Sequence, residues 1–212
     1  MGLMANIIFD MDGTLLDSMG MWENLGSLYL TKKGIVPPPD LKEVIENKTL
    51  EEAAEYFINR LGLKGTVKDI VQEILSLIRD KYYNELQLKP GVKKFVLREY
   101  ESGSKMCILT TSDRELAMAA MERTGIGLCF NEIFTAETLG LSKRGPEIFL
   151  KTCELMGFEP SETVVYEDAL YAIKAAKAAG CHVVAVYDHM NRNDWDEIKK
   201  LADEVIEPGN EA

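Results

Sequence analysis

Two aspartates follow a short apolar run near the start of the chain. The run Ile7-Ile8-Phe9 is typical of a parallel strand buried on both faces, and Asp10 and Asp12 come where that strand should end. Residues two apart in an extended chain point the same way, so the two carboxylates are expected to face one place. Gly13 then permits a tight turn. Such a pair either attracts a divalent cation or provides a nucleophile beside a proton donor, and the local alternative is an ordinary turn.

The segment Asp10-Met11-Asp12-Gly13-Thr14 resembles the first motif of the haloacid dehalogenase superfamily. Most members of that superfamily are Mg²⁺-dependent phosphatases. The resemblance points to the branch with a helical cap, which contains phosphatases and β-phosphoglucomutases. It implies an enzyme that binds Mg²⁺ and acts on a small phosphorylated metabolite. Three later stretches match further motifs of the superfamily in order, each after an apolar strand.

The first of these stretches is Ile108 to Ser112. The superfamily carries a serine or threonine just past the second strand, and Thr111 aligns with it. A hydroxyl at this position donates to a phosphate oxygen. The local alternative is a helix cap or a turn, because a helix begins near Asp113. Both can hold, since a helix N-terminus also binds anions.

The next stretch is Lys143-Arg144-Gly145-Pro146, which resembles the Lys-Pro-x-Pro pattern of the superfamily. Lys143 and Pro146 match, whereas Arg144 replaces the first proline and adds a cation with no assigned role. A lysine here offsets phosphate charge and keeps a nucleophilic aspartate ionised. The local alternative is a solvated loop lysine.

The last stretch runs from Val164 to Asp168 and ends in two acids, Glu167 and Asp168. Paired acids after a hydrophobic strand resemble the fourth motif, which supplies Mg²⁺ ligands. Mg²⁺ prefers carboxylate oxygens and retains several waters, so two or three acids suffice. The alternative is a helix N-terminus rich in acids, which the helix dipole favours.

Strand and helix patterns divide the chain. Residues 17–88 have helical periodicity without a strand pattern, whereas apolar strands alternate with helices in the rest of the chain. We therefore predict an α/β fold with a Rossmann-like parallel sheet flanked by helices. Residues 1–16 and 89–212 form this catalytic core, and residues 17–88 form an inserted all-helical cap.

The carboxyl ends of the strands are the expected location of the site. Ligands bind beyond these ends in parallel α/β sheets. Asp10, Thr111 and Asp168 should therefore converge, although they are far apart in the sequence.

The resemblance also implies a role for each site residue. Asp10 is the nucleophile that forms an aspartyl-phosphate, and Asp12 is the general acid and base. Metal ligands come from the Asp10 carboxylate, the Asp12 backbone carbonyl, Asp168 and, in or next to the shell, Glu167. The remaining phosphate oxygens are bound by the residues of two loops, namely Thr111, the amide of Ser112 and Lys143.

Two positions in the predicted cap favour hydrolysis over phosphoryl transfer within a sugar. The β-phosphoglucomutases carry a histidine where Trp22 aligns and an arginine where Leu50 aligns. A mutase needs that arginine for the second phosphate of its bisphosphate intermediate, so its absence favours a phosphatase. The mutase remains the alternative, followed by a non-catalytic regulatory protein on the same scaffold. Substrate specificity is expected from the turn formed by Asn47, Lys48 and Thr49, which equally fits a plain helix cap.

Composition narrows the possible partners. The chain has 212 residues and a net charge of −11, which argues against nucleic acid as a partner. We expect no membrane span and no signal peptide, because no apolar run is long enough and Asp10 interrupts the first one. The four cysteines have no Cys-x-x-Cys spacing and predict reduced thiols in a cytoplasmic protein. A monomer is expected from the resemblance.

Overall fold

The structure is a computed structural model that describes residues 5–46 and 48–208. Within these residues, six strands form one parallel sheet. In chain order the strands are β1 (Asn6–Phe9), β2 (Lys105–Thr110), β3 (Glu132–Thr135), β4 (Thr163–Glu167), β5 (His182–Val186) and β6 (Glu204–Ile206). Their order across the sheet is β3-β2-β1-β4-β5-β6.

Strand β1 lies inside the sheet because its side chains are apolar on both faces. Ile8 pairs with Cys107 of β2 on one side and with Val165 of β4 on the other. Ile8 and Phe9 are fully buried. Asp10, the first residue after β1, therefore lies at the carboxyl edge of the sheet.

The described residues between β1 and β2 are mostly helical. In chain order the α-helices are α1 (Met19–Glu23), α2 (Leu25–Lys32), α3 (Leu41–Ile45), α4 (Leu50–Leu61), α5 (Val67–Asp80) and α6 (Val92–Glu101), with a π-helical turn at Lys81–Glu85. Asn47 lies outside the described residues.

Side-chain caps begin two of these helices. The Thr49 hydroxyl accepts from the Glu52 amide at 3.2 Å, and the Glu52 carboxylate accepts from the Thr49 amide at 2.8 Å, which is the predicted capping box. Thr66 and Asp69 form a second box at the start of α5. Asp40 precedes α3, but its side chain makes no capping hydrogen bond there.

The remaining helices follow β2 and pack on the sheet. They are α7 (Arg114–Thr124), α8 (Ala136–Leu139), α9 (Glu147–Met156), α10 (Leu170–Ala178) and α11 (Trp195–Leu201), with 3-10 turns at Gly127–Cys129, Pro160–Glu162 and His189–Asn191. One face of the sheet, including Ile8, packs with Phe149 of α9, Ile173 of α10 and Ile198 of α11. On the other face, Phe9 packs edge-on against Phe95 of α6 with 6.1 Å between ring centroids. Helices therefore flank the sheet, and the predicted Rossmann-like α/β fold is confirmed.

The sequence did not predict two short elements. Strand β6 has three residues and helix α8 has four, which is too short for a periodic pattern. Strand β6 extends the sheet at the edge beyond β5. Asn24 separates the two short helices α1 and α2.

The chain divides into two compact units. One contains residues up to Met19 and from Leu86 onward, and the other is Gly20–Glu85. In the first unit the two connecting segments run side by side, because the Asp17 amide donates to the Gln87 carbonyl at 2.9 Å. The assignment of 1–16 with 89–212 as catalytic core and of 17–88 as cap remains a prediction. Among the described residues, no helix is both long and apolar enough to cross a membrane.

The side chain of Asp203, in the segment before β6, is hydrogen-bonded to β5. Its carboxylate accepts from the Val183 amide and from Lys177, each at 2.7 Å. Burial alone would raise the pKa of Asp203, but the hydrogen bonds from Lys177 and Val183 outweigh it and hold the pKa below its usual value. The ionised carboxylate therefore stabilises the folded state.

We predict that Asp203→Asn lowers the free energy of unfolding at pH 7 by about 1 kcal/mol, because it removes a charge-assisted bond to Lys177. A lowered folded pKa gives stability that is present above the unfolded value of about 4 and is lost as pH falls through the folded value. The difference between the two proteins in urea titrations should therefore shrink below pH ~4. A constant difference down to pH ~3 would contradict this origin of the stability.

Candidate active site

Three carboxylates meet at the carboxyl edge of the sheet. Asp10 follows β1, Glu167 ends β4 and Asp168 follows it, and one oxygen of each lies within 4.8 Å of the others. All three side chains are buried. Because β1 and β4 are parallel neighbours, residues at their ends are brought together although the sequence separates them widely.

The Lys143 ammonium lies inside this acidic cluster. It contacts Asp10 Oδ1 at 2.6 Å and Glu167 Oε2 at 2.6 Å, and it donates to the Leu109 carbonyl at 3.1 Å. Lys143 is only 3 % exposed, so it is not the solvated loop lysine of the local alternative. The three donor hydrogens of the ammonium are all used, which fixes its position.

Burial and mutual repulsion determine the ionisation of these groups. Burial, together with the charge of Glu167, raises the pKa of Asp10 to about 7, and Lys143 acts against this rise. Burial, followed by the charges of Glu167 and Asp10, raises the pKa of Asp168 well above its ordinary value. Burial alone would lower the pKa of the Lys143 ammonium, but the charges of Asp10 and Glu167 outweigh it and raise the pKa.

The two carboxylate oxygens of Asp10 differ in their surroundings. Oδ1 accepts the bond from Lys143, whereas Oδ2 is buried with no hydrogen-bond partner among the described residues. A buried oxygen without a partner is costly unless it binds a ligand, a cation or a reacting atom. Asp10 is therefore oriented by one oxygen and available through the other.

Asp12 is held differently, by two serine hydroxyls. Ser18 Oγ donates to Oδ1 and Ser112 Oγ donates to Oδ2, each at 2.6 Å. The Ser112 amide donates to the Thr110 hydroxyl at 3.0 Å. Thr111 is exposed at the end of β2. The structure thus brings Asp12 and Ser112 together through the serine side chain, which the sequence did not indicate.

Gly13 allows Asp168 to approach the loop that carries the two aspartates. Its φ of +88° is in the left-handed region, and a Cβ atom there would lie 2.4 Å from Asp168 Oδ2. A side chain at this position is therefore excluded both by the backbone and by the carboxylate. The glycine of the first motif is needed for close packing as well as for the turn.

Two other contacts were not predicted. Asn191, in the turn after β5, donates to Asp168 Oδ2 at 2.8 Å. The only signal in the sequence was its position after the carboxyl end of a strand. The Arg144 guanidinium lies 4.5 Å from the centroid of the Tyr171 ring, which is a cation–π contact beside Lys143.

The acidic cluster has the composition of a site for a divalent cation. Asp10, Glu167 and Asp168 carry up to three negative charges, and Lys143 supplies one positive charge to the cluster. The difference of two negative charges, carried by carboxylate oxygens, fits a hard divalent cation with oxygen ligands. The Asp12 carboxylate accepts from two serines, and the predicted ligand is its backbone carbonyl.

The sequence of the chain also matches a known protein family. The family described as haloacid dehalogenase-like hydrolase matches residues 7–186 of the chain. The chain belongs to the haloacid dehalogenase-like hydrolases. The family predicted from the first motif is therefore confirmed, and this hydrolase has each of its four predicted motifs at the end of a strand or in a loop of the sheet.

Named relatives of this hydrolase include two proteins from Escherichia coli. Hexitol phosphatase A is 28 % identical over 182 residues, which are 84 % of this chain and 81 % of the relative. Fructose-1-phosphate phosphatase YqaB is 26 % identical over 182 residues, which are 86 % of this chain and 96 % of the relative. A candidate β-phosphoglucomutase from Thermotoga maritima shares the fold with a TM-score of 0.83, 22 % identity and coverage of 97 % of this chain and 95 % of that one.

We predict that Lys143→Met lowers the free energy of unfolding by about 3–5 kcal/mol at pH 7, because Asp10 and Glu167 then remain buried without their shared cation. Urea titration of the metal-free protein measures this change. Adding Glu167→Gln to Lys143→Met should restore part of the loss, since it removes one of the unpaired charges. Equal stability of Lys143→Met and the unmodified protein would show that the ammonium does not stabilise the cluster.

Proposed function

We propose that this hydrolase is a Mg²⁺-dependent phosphatase that cleaves a phosphomonoester through an aspartyl-phosphate on Asp10. The observation that carries the proposal is the pair of Asp10 oxygens. One oxygen is fixed by Lys143, and the other is buried, unpartnered among the described residues and adjacent to an acidic cluster. This is the environment of a nucleophile that must meet an incoming electrophile in a fixed orientation.

The relatives support the substrate class. Hexitol phosphatase A and fructose-1-phosphate phosphatase YqaB are named for phosphate esters of small polyhydroxylated molecules. We propose a small phosphorylated metabolite of this kind, a sugar or sugar-alcohol phosphate, as the substrate. We also propose that the protein is a monomer in the cytoplasm and has no nucleic-acid or membrane partner.

Asp10 carries the first chemical step. Its Oδ2 forms a bond to phosphorus while the bond between phosphorus and the leaving-group oxygen breaks. Lys143 keeps Asp10 nucleophilic, because its positive charge opposes the rise in the pKa of Asp10 caused by burial and by Glu167. The leaving oxygen must gain a proton to depart as an alcohol.

Asp12 supplies that proton in our proposal. Ser18 and Ser112 fix its carboxyl group on the same loop as the nucleophile, two residues further along. In the second step, Asp12 takes a proton from the water that attacks phosphorus. Inorganic phosphate then leaves, and both aspartates return to their starting states.

The remaining groups bind the phosphate and the cation. Thr111, the Ser112 amide and Lys143 are the proposed donors to the non-bridging oxygens. To donate to the phosphate, the Ser112 amide would exchange its bond to the Thr110 hydroxyl, and Lys143 would exchange one of its three present bonds. Asp10, the Asp12 carbonyl and Asp168 would hold the cation, with Glu167 in or next to its shell. A bound Mg²⁺ would supply positive charge that screens the repulsion between the carboxylates and the phosphate.

A sugar phosphomutase is the second candidate, and one contact bears on it. The Trp22 indole, where mutases have a histidine, is half-buried and donates to the Tyr82 hydroxyl of the same helical unit at 3.1 Å. Leu50 is the first residue of α4. Leu50 is apolar, and the Trp22 N–H is already hydrogen-bonded to Tyr82. Neither side chain replaces the mutase residue at its position, which favours hydrolysis over mutase chemistry.

We predict Mg²⁺-dependent release of phosphate from sugar and sugar-alcohol phosphates, abolished by chelation of the metal. A panel of phosphate esters with a colorimetric phosphate assay measures it and ranks the substrates by kcat/KM. Asp10→Asn should lower kcat by about 10⁴-fold or more, because an amide is not a nucleophile for phosphorus.

Asp17→Asn is the matched control for this variant. Asp17 is an exposed aspartate that follows the same motif, and the substitution changes the side chain in the same way. Its activity should stay within about twofold of the unmodified protein. Full activity of Asp10→Asn would contradict the proposed mechanism. Interconversion of hexose phosphates with a bisphosphate primer, without net phosphate release, would favour the mutase instead.

A further inference from the structure

Lys89 links three segments of the core unit behind the active site. It directly follows Leu88, which forms an antiparallel bridge with Leu16, and its side chain is 14 % exposed. The Lys89 ammonium donates to the Gly13 carbonyl and, at 2.8 Å, to the Tyr187 carbonyl. It also forms an ion pair of 2.9 Å with Asp188 Oδ2. The loop with the two aspartates is thus tied to the end of β5.

Asp188 in turn organises the turn that follows β5. Its side chain is 3 % exposed, and its Oδ1 accepts from the Met190 amide at 3.0 Å, which caps the 3-10 turn His189–Asn191. The His189 ring lies 3.3 Å from the same oxygen. A buried carboxylate here is tolerated because Lys89 neutralises it.

Asn191 ends this turn and contacts the acidic cluster. Its side-chain amide donates to Asp168 Oδ2 at 2.8 Å. Gly13, whose carbonyl accepts from Lys89, borders the same Asp168 oxygen from the other side. Contacts therefore connect Lys89 with Asp168 by two routes. One runs through Gly13, and the other runs through Asp188 and Asn191.

We propose that Lys89, Asp188 and Asn191 are positioning residues that fix the Asp168 carboxylate for a divalent cation. The inference rests on the metal site of the proposed function. The hydrogen bond from Asn191 to Oδ2 restricts rotation of the carboxylate and so fixes the direction in which Asp168 presents its oxygens. Lys89 acts through the turn and not by contact with the cation.

The test measures metal binding without substrate. Mn²⁺ binding to the whole protein is followed by electron paramagnetic resonance of the free ion. Asn191→Ala should raise the Mn²⁺ dissociation constant about tenfold, because loss of a group that orients a ligand typically costs 10–100-fold. Asp168→Asn should weaken binding at least as much, since it removes the ligand itself.

Asn84→Ala is the matched control. Asn84 donates to Asp80 Oδ1 at 2.7 Å, so the substitution also removes an asparagine–aspartate hydrogen bond, but an exposed one in the helical unit. Its Mn²⁺ affinity should equal that of the unmodified protein. An Asn191→Ala protein that binds Mn²⁺ as tightly as this control would overturn the proposal.

The role of Lys89 needs a variant that folds. Lys89→Met alone leaves Asp188 buried and unpaired, so we combine it with Asp188→Asn, which removes both charges. In this background Asn191→Ala should weaken Mn²⁺ binding by clearly less than its effect alone, because the turn is already loosened. Equal effects in the two backgrounds would remove Lys89 and Asp188 from the proposal.

Two outcomes distinguish a failure of this inference from a failure of the proposed function. If the unmodified protein and Asp168→Asn both fail to bind Mn²⁺, the metal site of the proposed function is wrong and the inference falls with it. If Asp168→Asn alone loses affinity, the metal site stands and only the positioning role of Asn191 is refuted.

Discussion

The buried contact of Lys143 with Asp10 and Glu167 is the interaction on which the site depends. Burial of several carboxylates in one place is unfavourable, and it raises the pKa of Asp10 and of Asp168. The single ammonium relieves part of this repulsion and orients Asp10 by one oxygen. It leaves a deficit of positive charge, which is the physical basis for expecting a divalent cation. The site thus carries more negative than positive charge. A divalent cation would balance this excess and allow a phosphate to bind.

The parallel sheet explains why these groups meet. Asp10, Ser112 and Asp168 follow β1, β2 and β4, which are neighbours in the sheet, and Lys143 comes from the loop before α9. The middle of each of these strands is apolar, and polar side chains resume where the strand ends, so they collect at the carboxyl edge. The helical unit is inserted between the first and second of these strands and does not interrupt their pairing.

Much of this arrangement could be predicted from the sequence, because the site residues follow strong apolar runs. The capping box at Thr49 and the strand over Lys105–Thr110 were readable for the same reason, as local patterns. The contacts of Asn191 and Lys89 were not readable, since they depend on how loops from distant segments fold over the sheet. Strand β6 was too short to form a pattern. The stacking of Arg144 on Tyr171 likewise required the fold.

The most direct test of the account is to detect the phosphorylated enzyme. Asp12→Asn would be mixed with p-nitrophenyl phosphate and Mg²⁺, quenched with acid and measured as intact protein and as peptides by mass spectrometry. This ester needs no proton for its leaving group, whereas hydrolysis of the intermediate needs the base, so the intermediate should accumulate. The account predicts one phosphoryl group on Asp10 that hydroxylamine removes. No adduct, or an adduct on another residue, would contradict it.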